Sequence, residues 1–150
     1  MSSKAEKQLM DFNVIWKEQD DIYRGIAKAL GLSDSVFWIL YCLRNYGENV
    51  TQSFMCGMML EPKQTINTAL KKMESDRLIA FSGSGDGRSK YITLTEKGKS
   101  LAEITVDKAI SAERAAMEMM TEDEQRQFLG LFRKYNYCLK EKIGEIKNES

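Results

Sequence analysis

With 150 residues, 43% of them hydrophobic and 29% charged, the chain has material for one folded domain and is not disordered as a whole. Its 22 basic and 22 acidic residues cancel, so any case for a nucleic-acid partner must rest on local charge. Histidine is absent and the three cysteines, Cys42, Cys56 and Cys138, are scattered without a CxxC, which removes the commonest general base, the usual nucleophile pairs and a structural zinc pattern.

No catalytic constellation, metal site or cofactor is therefore expected, and the composition leans away from an enzyme. The N-terminal MSSKAEKQL is polar and lacks the apolar core of a secretory leader. The longest apolar run, VFWILYCL at 36–43, is far too short to cross a membrane. The expectation is a reduced, cytoplasmic protein with no membrane partner.

With a single proline, Pro62, the chain reads as mainly helical. Leu9, Phe12, Trp16, Tyr23, Ile26 and Leu30 recur at three- and four-residue steps, broadened by Ile15 and Ile22. That spacing predicts one long amphipathic helix over about 4–31, stopped near Gly31, with a stripe wide enough to need a second surface. Ser33 is a good N-cap for a helix from Asp34 to about Asn45, apolar nearly all round through Val36, Phe37, Ile39, Leu40 and Leu43. Trp38 and Tyr41 lie on another side of it and can face the core, a pocket or a partner subunit.

Thr51 caps a short helix, about 52–59, whose Phe54, Met55, Met58 and Met59 are expected to fill the core, with an adaptable methionine-rich binding surface as the alternative. Pro62 suits the first turn of the next helix, to about Ser75, which buries Ile66, Ala69, Leu70 and Met73. Its other face carries Lys63, Gln64, Thr65, Asn67, Thr68, Lys71 and Lys72 and has no acid before Glu74. Asn and Gln can bond the edge of adenine in two places, Thr can offer a methyl to thymine, and Lys can reach guanine or phosphate. An ordinary solvated helix face is the alternative; it would usually mix in several acids.

Residues 78–81 and 91–94 read as an antiparallel pair of strands. The loop between them, SGSGDGRSK, ends in Arg88 and Lys90, with Asp86 placed to orient Arg88. A loop tipped this way can lie on the DNA backbone or enter a narrow minor groove. It fits neither GxxxxGK[ST] nor GxGxxG, so a nucleotide-phosphate loop is disfavoured. Over residues 61–100, eight Lys or Arg stand against five acids, a modest local surplus. Thr95 then caps a helix predicted to run to about Met120. Thr121 and Glu124 form a capping box for the last helix, where Phe128, Leu131, Phe132, Tyr135, Leu139, Ile143 and Ile146 repeat at three and four.

Helix, turn, helix and a basic-tipped hairpin, flanked by long helices, resembles the MarR family of winged helix-turn-helix transcriptional regulators over nearly the full length. The local matches are DGR at 86–88 and ITLTEKGKSL at 92–101, like the family's LTxxG. Two departures are Arg77, where the family usually has glycine, and Met58-Met59-Leu60-Glu61-Pro62, where a Ser or Thr commonly caps the recognition helix. The resemblance implies one MarR-like domain over 1–150, with a DNA-binding lobe at about 33–95 and dimerisation helices at about 4–31 and 96–147. It also implies a homodimeric regulator, in most cases a repressor, of a pseudo-palindromic operator in double-stranded DNA. The recognition helix would be Pro62–Ser75 and the wing arginine Arg88. Many members release DNA on binding a small aromatic effector, for which Trp16, Phe37, Trp38 and Tyr41 are candidate walls, with core packing as the alternative. Oxidant-sensing members carry a cysteine on the N-terminal helix, and this helix has none. The competing expectation is a winged-helix protein adaptor that binds no DNA.

Overall fold

The computed structural model describes residues 3–83 and 90–149, apart from the side chain of Glu48. Helices dominate, and a single two-stranded antiparallel hairpin interrupts them among the described residues. The chain forms two compact units, Met1–Lys108 and Ala109–Ser150.

In the first unit, α1 (Lys4–Tyr23) opens on a capping box: Ser3 Oγ accepts from the Glu6 amide at 3.1 Å and Glu6 Oε2 accepts from the Ser3 amide at 2.8 Å. The predicted helix over 4–31 is in fact broken. Arg24 is extended and Gly25 takes φ +81°, a left-handed conformation glycine adopts without steric cost, so the chain restarts as a four-residue α2 (Ile26–Ala29). The predicted stop holds: Gly31 sits at φ +74° and the Leu32 amide donates to the Ala27 carbonyl at 2.9 Å, a Schellman closure.

Helix α3 (Asp34–Tyr46), capped by Ser33 at 3.3 Å, is the centre of the core and buries Phe37, Ile39, Leu40, Cys42 and Leu43. Thr51 caps α4 (Gln52–Met58) at 3.0 Å. Of the four residues expected to fill the core there, only Met55 is buried, while Phe54 and Met58 are 41% and 49% exposed. A helix of two turns can turn just one narrow stripe inward. After the turn at 59–62, α5 (Lys63–Ser75) buries Ile66, Leu70 and Met73 against α3. Strands β1 (Ile79–Gly83) and β2 (Lys90–Leu94) pair in register from Ile79 opposite Leu94 to Gly83 opposite Lys90. The segment before α4 adds to the same sheet: the Ile92 amide donates to the Val50 carbonyl at 2.7 Å, and Thr51 bridges to Tyr91.

Helix α6 (Glu96–Ile104) does not continue to Met120 as predicted. Thr105 leaves helical geometry (φ −123°, ψ −92°), and α7 (Val106–Glu118) starts after it. The Thr105 hydroxyl donates to the Leu101 carbonyl at 2.6 Å, which competes with the helix ladder and bends the chain. Arg44 on α3 clasps Asp107 in the first turn of α7 with two hydrogen bonds, which holds the guanidinium pKa above its ordinary value. In the second unit, Thr121 and Glu124 form the predicted capping box of α8 (Glu122–Glu149), with amide-to-side-chain distances of 2.9 and 3.2 Å. No single helix among the described residues is long and apolar enough to cross a membrane.

Candidate nucleic-acid interface

The three buried residues of α5 set its rotation. With Ile66, Leu70 and Met73 inward, Lys63, Gln64, Thr65, Thr68, Lys71 and Lys72 are all exposed. The Thr68 hydroxyl donates to the Gln64 carbonyl at 2.9 Å, which leaves its methyl group as the apolar contact it can offer. Pro62 caps α5 without a side-chain hydrogen bond, whereas Ser33, Thr51 and Thr95 cap their helices with a hydroxyl. The first-turn amides of α5 thus carry no side-chain acceptor from the cap position, the arrangement that favours an anion.

Asn67 is half-buried, and its Oδ1 accepts from Nε2 of Gln52, the first residue of α4. Gln52, Asn67, Lys71, Glu74 and Lys90 line one cleft of about 260 Å³ beside the hairpin. Three elements thereby converge: α4 supplies Gln52, α5 supplies Asn67, Lys71 and Glu74, and β2 begins with Lys90. Nothing in the sequence marks Gln52, because its significance lies in a partner 15 positions away. Asp86 and Arg88 lie outside the described residues.

The hairpin is fixed to α5 and α6 by backbone. Arg77 stands at φ +59°, the left-handed conformation for which glycine is the usual choice, and its amide donates to the Glu74 carbonyl at 2.9 Å. The Leu78 amide reaches back to the Met73 carbonyl at 2.9 Å. An arginine thus makes the glycine-type helix end. Around it the ITLTEKGKSL segment closes. The Thr95 amide donates to the Leu78 carbonyl at 3.1 Å, its hydroxyl to the Arg77 carbonyl at 2.5 Å, and the Lys97 ammonium to the Asp76 carbonyl at 2.8 Å. Gly98 lies so close to Leu78 that a Cβ there would stand 2.0 Å from the Leu78 carbonyl oxygen. The LTxxG phrase is the footprint of this joint.

Of the four aromatic candidates for an effector wall, the structure brings two together. Trp38 and Tyr41, edge to face at 5.3 Å, line a cleft of about 350 Å³ with Tyr46, Met58, Met59 and Glu61. Phe37 is completely buried and packs edge-on behind Trp38 at 4.9 Å. Trp16 is 55% exposed on α1, stacked on Phe12 at 6.3 Å, and is not a lining residue. Cys42 also borders the cleft but is 4% exposed, and burial pushes its thiol pKa up, away from thiolate chemistry.

No protein-family model and no curated protein sequence matches the chain significantly. Solved structures do match. A MarR family regulator from Neisseria meningitidis is 21% identical with a TM-score of 0.77, over 92% of this chain and 97% of that one. The MepR–DNA complex of S. aureus is 18% identical with a TM-score of 0.64, over 91% of this chain and 96% of the other. BpsR of Bordetella bronchiseptica, whose DNA binding is regulated by 6-hydroxynicotinic acid, is 19% identical with a TM-score of 0.60, over 87% and 99%. At these identities the likeness establishes the fold: mainly α, a winged helix-turn-helix of the type found in MarR regulators.

Proposed function

We propose that the protein is a homodimeric, sequence-specific DNA-binding transcriptional regulator, most simply a repressor, that releases its operator when a small molecule binds. The observation that carries this reading is the exposed face of α5, free of acids up to Glu74, with Gln64, Thr68 and Lys71 outward and Asn67 and Lys90 meeting Lys71 in one cleft. In this reading Gln64, Asn67 and Thr68 read base edges. Lys63, Thr65, Lys71, Lys90 and the loop residue Arg88, oriented by Asp86, hold backbone or minor groove.

The dimer is supported by apolar surface that one copy leaves uncovered. No residue of α1 or α8 is buried; Ile15 and Ile22 are 62% and 77% exposed, and Leu131 and Ile146 are 67% and 62%. Few phosphate contacts per subunit, given the modest local charge, also favour doubling them. Two copies would present their α5 helices to major grooves about 34–36 Å apart for half-sites one turn apart.

A gel-shift assay with fragments of the DNA upstream of its own gene, titrated with salt, tests the proposal. A shift that weakens steeply with salt supports it. A protein that shifts no fragment at any salt concentration is the adaptor instead, a reading with which zero net charge is compatible.

A further inference from the structure

We propose that the cleft between α3 and the α4–α5 turn is a binding site selective for lipophilic organic cations: an apolar or aromatic body carrying an ammonium group. As an effector site it rests on the regulator reading above; as a binding site it stands on its own geometry.

The apolar part of the cleft is built from Trp38, Tyr41, Tyr46, Met58, Met59 and Leu60. Trp38 and Tyr41 are half-buried, whereas Tyr46 and Leu60 are open to solvent, at 51% and 104% exposure. Ring faces and thioethers are polarizable and adapt to an irregular organic body, and about 350 Å³ admits a single-ring molecule with substituents.

Charge decides the class. The charged residues lining the cleft are Asp20 and Glu61, both acids, with no lysine or arginine among the described lining residues. Glu61 is half-buried, is oriented by a 2.7 Å hydrogen bond from the Ser35 hydroxyl, and has no ion-pair partner among the described residues. Asp20 faces Arg24 at 3.6 Å, but that guanidinium lies nearer Asp21, at 2.9 Å. A carboxylate ligand entering here meets two acids and no basic residue among the described lining residues, and the half-buried Glu61 lies in surroundings of reduced dielectric. An ammonium meets an unpaired carboxylate and the faces of tryptophan and tyrosine, the arrangement that attracts cations.

Calorimetry on the full chain at constant ionic strength tests this with three probes of similar size: benzyltrimethylammonium, benzyl alcohol and benzoate. The cation is expected to bind at least about tenfold more tightly than benzoate. Glu61→Gln, which keeps an oxygen for Ser35, should lower affinity for the cation by about tenfold and leave benzyl alcohol unchanged. Asp20→Asn, on exposed surface, should produce a smaller loss in the same direction. Benzoate binding as well as the cation, an unchanged cation affinity in Glu61→Gln, or no binding by any probe would each overturn the proposal. These readouts need no DNA, so failure of the site and failure of the regulator reading are told apart by the gel shift.

Discussion

Gly98→Ala sets two effects of opposite sign against each other at one position. Gly98 lies inside α6, where alanine is intrinsically the better helix former by about 1 kcal/mol. Its added Cβ, however, would stand 2.0 Å from the Leu78 carbonyl oxygen, 3.0 Å from the Leu78 carbonyl carbon and 3.2 Å from Leu94 Cδ2. Two of these atoms are backbone and cannot rotate away, so α6 must withdraw from the strand entry by more than 1 Å. Overpacking of this kind costs about 1–3 kcal/mol. Withdrawal also strains the bonds from Thr95 to Leu78 and Arg77, each worth about 1 kcal/mol. The expected balance is a net loss of about 2–3 kcal/mol, clash outweighing propensity. Urea unfolding followed by circular dichroism, at fixed protein concentration because the proposed dimer would contribute, measures it. Gly130→Ala is the internal control: that glycine lies in α8 with nothing of its own chain within 4 Å of its added Cβ, so within one subunit propensity acts alone and should add up to about 1 kcal/mol. If Gly98→Ala were as stable as the parent, the claim that this joint requires a bare backbone would be wrong.

Gln52→Ala removes the partner that holds Asn67, so binding to a selected operator should weaken and discrimination at the base that Asn67 is proposed to read should relax, by about 1–3 kcal/mol in a competition gel shift. Lys71→Ala should instead weaken binding to all sequences alike and reduce the slope of affinity against salt by about one. Leu131→Glu, on a residue 67% exposed, should yield a monomer by sedimentation while retaining its helical spectrum. The capping bonds of Thr121 hold the Glu124 pKa below its ordinary value, the backbone bond first. Their stabilisation is therefore full above the ordinary glutamate range and lost as pH falls through the lowered value. Helicity followed by circular dichroism on acidification should fall over that window, and Glu124→Ala should remove that part of the pH dependence.

Much of this architecture was legible because hydroxyl caps announce helix starts. Ser33, Thr51, Thr95 and Thr121 each stand just before an apolar periodic run, and each caps there. The breaks at Gly25 and Thr105 were not legible, because apolar spacing carries almost in phase across an interruption of one or two residues. Threonine within a helical pattern is ordinary until its hydroxyl is known to bond Leu101. The exposed face of α5 could be read from periodicity alone. Its flank could not, since Gln52 and Lys90 join it only through the packing of α4 and the hairpin. The aromatic cleft was half legible. Trp38 and Tyr41 stood out, but Tyr46, Met58, Met59 and Glu61 come to it from the end of one helix and the turn between two others.

The backbone bond from Ile92 to Val50 ties the hairpin to the residues immediately before α4, while Thr95 and Leu78 tie it to the end of α5. The hairpin and the helix proposed to read bases are therefore joined at two points. If the proposed dimer binds an operator, adjustment to a wider or narrower site would have to come from the spacing of the two subunits rather than from bending the hairpin alone. For an engineer testing the proposed specificity, the smallest unit to transplant is not α5 but the block from Val50 to Gly98. A transplant of the reading helix without its two welds would carry the letters and lose the alignment.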